Sequence, residues 1–220
     1  MHVKAAYLHG VLLLVTLHVI QIPHIASGSN PTGEDSNFDG TLNLIEVLNT
    51  SEDSWVYFQT YSNAYPMTLD KQDTTIVVTC IRHRKIDVTE NQYNFTVYES
   101  LNDTEVAGNR TGRFIYPGND TNKPPISTTV HRDSDEPDYM VTLVYTDPDS
   151  HDCNVYSISY MEDDLADDFP TCEMHIKNSS VHDGPTTSCS NYYESKCNGT
   201  KYQPYSQQCS IKGRAVNVYS

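Results

Sequence analysis

The chain has 220 residues and carries 29 acidic against 14 basic side chains, a formal net charge of −15. Such a balance disfavours nucleic acid and anionic membranes as partners. It suits cationic ligands, and it equally suits plain solubility in a crowded secretion.

The N-terminus begins Met1-His2-Val3-Lys4 and continues in a mostly apolar run from Val11 to Ile25, ending in the small residues Ala26-Ser27-Gly28. A basic start, an apolar stretch and small residues at the −3 and −1 positions make residues 1–28 a secretory signal peptide. His18, Gln21, Pro23 and His24 interrupt the run, which argues against a retained span of ~20 apolar residues. Lys4 is the only charged residue in this segment. Cleavage therefore leaves 192 residues with 13 basic and 29 acidic side chains, a net charge of −16. That length suffices for one domain with a real core. No membrane association is expected after cleavage.

Residues 29–41 are polar and turn-rich and read as a flexible arm, leaving 42–220 as the folded domain. Leu42, Ile45, Val47 and Leu48 share one side of a short helix. The period then changes. Trp55–Tyr61, Thr75–Arg84, Gln92–Ser100, Gly112–Tyr116, Ile126–His131, Tyr139–Thr146, Cys153–Met161 and Thr171–Lys177 read as eight strands. They are rich in Val, Ile, Thr, Tyr and Phe and are bounded by Asn, Asp, Gly and Pro. Tyr93, Phe95 and Val97 alternate with Asn94 and Thr96, and Tyr139, Val141, Leu143 and Tyr145 line one side. In Ser188–Cys197, the spacing of Cys189, Tyr193 and Cys197 puts them on one face of a short helix, with Gly199 placed to end it. Eight short antiparallel strands followed by a helix predict an all-β, up-and-down lipocalin barrel, which encloses room for a small ligand. Sixteen tyrosines against five phenylalanines suit such an interior, because Tyr offers apolar area and a hydroxyl together.

Six cysteines, all behind the signal, imply three disulfides, and spacing alone leaves fifteen pairings open. They are too widely spaced for a zinc site and contain no Cys-x-x-Cys, so no metal is expected. Seven Asn-x-Ser/Thr sequons, at Asn49, Asn94, Asn102, Asn109, Asn119, Asn178 and Asn198, predict N-glycosylation. The acidic run Glu162–Asp168 lacks the spacing of an EF-hand and reads as a solvated loop. Asp147–Asp152 reads as a turn, and Arg82-His83-Arg84-Lys85 as a solvated strand edge. None of His83, His131, His151, His175 and His182 stands in a catalytic motif, and no catalytic residue or cofactor is expected.

The cysteine frame carries a resemblance. One cysteine lies in the second predicted strand (Cys80), one opens the seventh (Cys153), one opens the eighth (Cys172), and Cys189, Cys197 and Cys209 follow. In this the chain resembles the histamine-binding-type lipocalins of tick saliva. The resemblance implies that Cys80 pairs with Cys209 and Cys153 with Cys189, leaving Cys172 for Cys197. Amine-binding members share Cys-Asp-(Val/Ile/Leu), a spacer, Glu-Leu-(Trp/Tyr), a second spacer and Cys. Here the corresponding residues are Cys153-Asn154-Val155, Glu173-Met174-His175 and Cys189. The implied ligand-binding residues are thus Glu173, His175 and Asn154, with an amide in place of the acid and an imidazole in place of the aromatic ring. An amide supplies only a dipole to a buried ammonium, and a protonated His repels it. Alternation leaves two orientations open for the last strand. In one, Glu173 and His175 face the barrel with Met174 and Ile176 beneath the helix; in the other, the faces are reversed. The implied function is sequestration of a small host mediator, an amine such as histamine or serotonin, or a lipid such as a leukotriene or fatty acid. The alternative is a host-protein-binding inhibitor without a working pocket.

Overall fold

The computed structural model describes residues 41–69, 72–132, 134–161, 171–210 and 217–218. The expected signal peptide, the arm as far as residue 40 and the acidic run Glu162–Asp168 lie outside the described residues. Helix α1 (Leu44–Leu48) precedes β1 (Ser54–Gln59), β2 (Ala64–Leu69), β3 (Gln72–Val88), β4 (Gln92–Leu101) and β5 (Thr104–Ile115). There follow β6 (Ser127–His131), β7 (Tyr139–Thr146), β8 (Cys153–Tyr160), β9 (Thr171–Lys177), helix α2 (Thr187–Lys196) and β10 (Asn217–Val218). From β3 to β9 each strand pairs antiparallel with the next, β9 pairs with β1, and β1 returns to β3. The result is the closed eight-stranded up-and-down barrel that the strand pattern predicted, with both helices.

Three local readings change. Ala64–Leu69 forms an edge strand on an outward extension of β3, where Pro66 needs no ladder partner on its free side. Strand β5 begins at Thr104 rather than Gly112, because Gly108 and the polar stretch Glu105–Arg110 dilute its strand signal. On β7 a register shift between Leu143 and Tyr145 turns Tyr145 away from the interior and onto Tyr192 of α2.

The largest apolar cluster lies outside the barrel wall. Trp55, Val155, Met174 and Ile176 point outward from β1, β8 and β9 and are covered by Cys189 and Tyr193 of α2 and by Tyr205 of the tail. Thr186 caps α2 by accepting from the Cys189 N–H at 3.2 Å. Disulfides Cys153–Cys189 and Cys172–Cys197 tie α2 to β8 and β9, and Cys80–Cys209 ties the tail to β3. Inside the wall, Leu42, Leu44 and Val47 pack on Leu143, Tyr156 and Ile158 and close one end of the barrel.

The β1–β3 seam is the narrow point of the closure. The two strands pair directly only at Ser54↔His83 and Trp55↔Arg82. Farther along they diverge, and the tail fills the gap. Gln59 and Tyr202 exchange both backbone hydrogen bonds, and the Cys80 N–H donates to the Pro204 carbonyl. Cys80 itself has φ +54, where the β3–β4 register shifts. Beneath this wedge sits an ionic cluster. Arg84 forms a fork on Asp53 at 2.7 and 2.8 Å, and Arg82 reaches both Asp53 (3.4 Å) and Glu105 (2.7 Å). The Arg82 guanidinium also stacks 3.8 Å from the Tyr98 ring centroid. The expected solvated edge is therefore wrong for two of its residues. Arg82 is buried in the seam and His83 faces the interior.

Removing the shared carboxylate leaves the buried Arg82 with its Glu105 pair and takes the fork from Arg84, which is half-exposed. Asp53→Asn is expected to lower unfolding stability by roughly 1–3 kcal/mol. Urea unfolding monitored at Trp55, whose ring lies 5.6 Å from the Arg82 guanidinium, measures this.

Candidate functional site

The barrel encloses a cavity of about 580 Å³. Period-two alternation supplies its walls. On β4, Tyr93, Phe95, Val97 and Glu99 face inward, opposite Gly112, Arg110, Gly108 and Val106 of β5. Val130 of β6, Val141 of β7 and Tyr156 and Ile158 of β8 complete an apolar belt, and Leu44 and Leu48 of α1 form the floor. The rim carries charge and aromatic rings, among them Tyr65, Arg132, Tyr139 and Tyr160.

Strand β9 resolves the two orientations left open above. Glu173 and His175 line the cavity, whereas Met174 and Ile176 are fully buried beneath α2. The Glu173 carboxylate is held on both oxygens. The Tyr61 hydroxyl donates to Oε1, and His175 Nε2 donates to Oε2 at 2.7 Å. Burial alone would raise its pKa. The hydrogen bond and charge of His175, with His83 and Tyr61, outweigh that and hold it below the ordinary carboxylate range. Around it the His175 ring meets Tyr156 at 4.8 Å and His83 at 4.9 Å, both edge to face. Burial, reinforced by the neighbouring His175, pushes His83 down to about 3, so its imidazole is neutral at physiological pH. What surface His83 retains faces the cavity rather than bulk solvent, which is why desolvation dominates.

Asn154 does not join this group. It shares a face of β8 with Tyr156 and Ile158 but lies toward the closed end and does not line the cavity. Its carbonyl accepts from the Thr146 hydroxyl (2.6 Å) and its amide donates to the His151 carbonyl (3.0 Å). An amide rather than an acid at 154 thus fixes the β7–β8 turn.

Tyr61, His83, Glu99, Arg110 and Arg132 were not singled out from sequence as site residues. The signal for Arg110 was available in the alternation Gly108-x-Arg110-x-Gly112, but the outward Asn109 and Thr111 belong to a sequon and mask it. The sequon asparagines all lie off the cavity lining; Asn94 is half-buried and the other six are exposed. Among the described residues, no group of His, Cys, Asp or Glu is placed to hold a metal ion, and no helix is long and apolar enough to cross a membrane.

Among solved structures, the chain is similar to Japanin from Rhipicephalus appendiculatus bound to cholesterol. The two share 13% identity with a TM-score of 0.45, covering 73% of this chain and 96% of that one. No family model and no curated protein matches the chain.

His83 gives the interior a pH signature. Its folded pKa lies below that of an unfolded histidine, so the unfolded chain binds the extra proton between about 6.5 and 3. Stability therefore falls as pH drops through that window, by up to ~1.4 kcal/mol per pH unit. Glu173 adds a loss in the same direction, beginning only as pH falls below the ordinary carboxylate pKa. His83→Gln is expected to flatten the fall between pH 6 and 5 while leaving the acid limb below pH 4, measured by urea unfolding across the series.

Proposed function

We propose that this chain is a secreted binding protein that sequesters a small amphiphilic host mediator, of fatty-acid or leukotriene type, inside its barrel. The observation that carries this reading is the barrel cavity of about 580 Å³, whose apolar belt leads to polar groups at the rim. That volume falls in the range of ~300–1,000 Å³ for sites holding drug-sized ligands. A molecule the size of histamine would leave most of it empty. Three disulfides support an extracellular setting. Glycans on Asn49, Asn94, Asn102, Asn109, Asn119, Asn178 and Asn198 would leave the interior clear, because none of these residues lines it. Such a protein acts stoichiometrically, so affinity and abundance set its effect.

A biogenic amine held at Glu173 is the second reading. An ionised carboxylate among Tyr61, Tyr156 and His175 favours it. One feature weighs against it: both carboxylate oxygens already accept hydrogen bonds from the protein. The host-protein reading draws on Tyr65, Met67 and Val77, which are exposed on the β2–β3 extension.

Calorimetric titration of solvent-extracted, refolded protein separates the first two. A long-chain fatty acid is expected to bind with Kd near ~1 μM, about −8 kcal/mol, and histamine to give no heat. Histamine binding that disappears in Glu173→Ala would replace the lipid reading by the amine one. Absence of binding by either class would shift the function to the protein surface.

A further inference from the structure

Tyr65, Met67, Tyr160 and Met161 are large apolar side chains left exposed around the open end of the barrel. Tyr65 and Tyr160 line the rim of the cavity itself. Burial, the Glu173 carboxylate and Tyr65 together push the Tyr160 hydroxyl up to about 12, so the two tyrosines stand near each other at this rim. Met67 follows Tyr65 by two residues on β2 and shares its face. Its cross-strand partner is Thr74, farther out along β3 than the cavity-lining Val78, so Met67 extends the rim outward. Met161 follows Tyr160 and is fixed there by its N–H, which donates to the carbonyl of the rim residue Asp138 at 3.2 Å.

The two other methionines of the described residues are placed differently. Met174 is fully buried beneath α2, and Met140 is half-buried on β7, paired with Thr129 and Ser159 and alternating with the cavity-lining Tyr139 and Val141. All six cysteines are in disulfides, so no thiol competes for an oxidant. A polarizable thioether is then the softest nucleophile that the folded protein offers to a two-electron oxidant. Met67 is 42% exposed and Met161 44%, against 0% for Met174. Reactivity follows exposure, so the two thioethers at the rim are reached first.

We propose that Met67 and Met161 are paired oxidation sites at the mouth of the barrel, and that their conversion to sulfoxides by peroxide loosens the hold on an apolar guest. The sulfur lone pair attacks one oxygen of hydrogen peroxide, and the S–O bond forms as the O–O bond breaks. The proton on the transferred oxygen passes to the departing hydroxide, which leaves as water; the thioether is oxidised and the peroxide reduced. A methionine sulfoxide is polar where the thioether was apolar. The rim then sets solvated dipoles against the end of a guest that would otherwise lie on apolar surface. Coupling to release rests on the sequestration reading; the oxidation sites do not.

Two measurements on the intact protein test it. Peptide mass mapping after limiting hydrogen peroxide is expected to show sulfoxides at Met67 and Met161, with Met174 reduced until urea unfolds the barrel. Binding of cis-parinaric acid, followed by its fluorescence, is expected to weaken about 5-fold or more in the oxidised protein. Methionine sulfoxide reductases are expected to restore it, which unfolding would not allow. Met67→Leu combined with Met161→Leu keeps the apolar volume, so this variant binds the probe as before and no longer responds to peroxide. Oxidation of Met174 or Met140 ahead of the rim pair overturns the assignment of the sites. Unchanged affinity once both rim sulfoxides have formed, or an equal loss in the double variant, overturns the coupling. If cis-parinaric acid does not bind the unoxidised protein, the sequestration reading fails and the coupling with it, while the peptide map still decides the oxidation sites.

Discussion

The barrel depends on how its seam is closed. Strands β1 and β3 share only two directly paired positions, too few to hold a closed sheet by their own ladder. Two devices supply the rest. The Asp53–Arg82–Arg84–Glu105 cluster pins the strands where they touch, and the tail from Tyr202 to Pro204 bridges them where they part. Disulfide Cys80–Cys209 fixes that tail, closing a loop with a sequence separation of 129 residues. In the chain-entropy picture a loop of that size contributes about 5 kcal/mol. Trp55 links the two devices: its ring packs edge-on against Tyr205 and lies under the Arg82 guanidinium.

This closure also sets what the interior contains. A strand side chain points in or out according to register, and a one-residue slip would exchange the two faces. On β9 the choice is fixed from outside. Met174 and Ile176 lie under α2, and Cys172–Cys197 holds the helix against that strand. Glu173 and His175 then have only the cavity to face. A buried carboxylate in that position is tolerable because Tyr61 and His175 satisfy both of its oxygens.

Much of the fold was legible from alternation. The alternation of Tyr93, Phe95 and Val97 with Asn94 and Thr96 reads directly as one inward and one outward face, and Cys189 and Tyr193 at helical spacing read as a buried stripe. Legibility failed where the local pattern was interrupted. The bulge that turns Tyr145 outward has no signature in a run of alternating apolar residues. Strand β2 carries a proline that is tolerated only because its outer edge is unpaired. Arg82 and Arg84 looked like solvated charges because their partners, Asp53 and Glu105, are about thirty and twenty residues away in sequence, and only the closure brings them together.

By itself, the sequence determined the eight strands of the barrel, the two helices and the disulfide-bonded class, because these follow from local period and composition. The pairing of the cysteines entered through a family resemblance, since spacing left fifteen possibilities. Tertiary structure alone decided which face of β9 turns inward, that Asn154 serves a turn rather than the cavity, and that Arg110 lines the cavity. Each of these is set by contacts between distant segments, and local sequence carries no record of which segments meet.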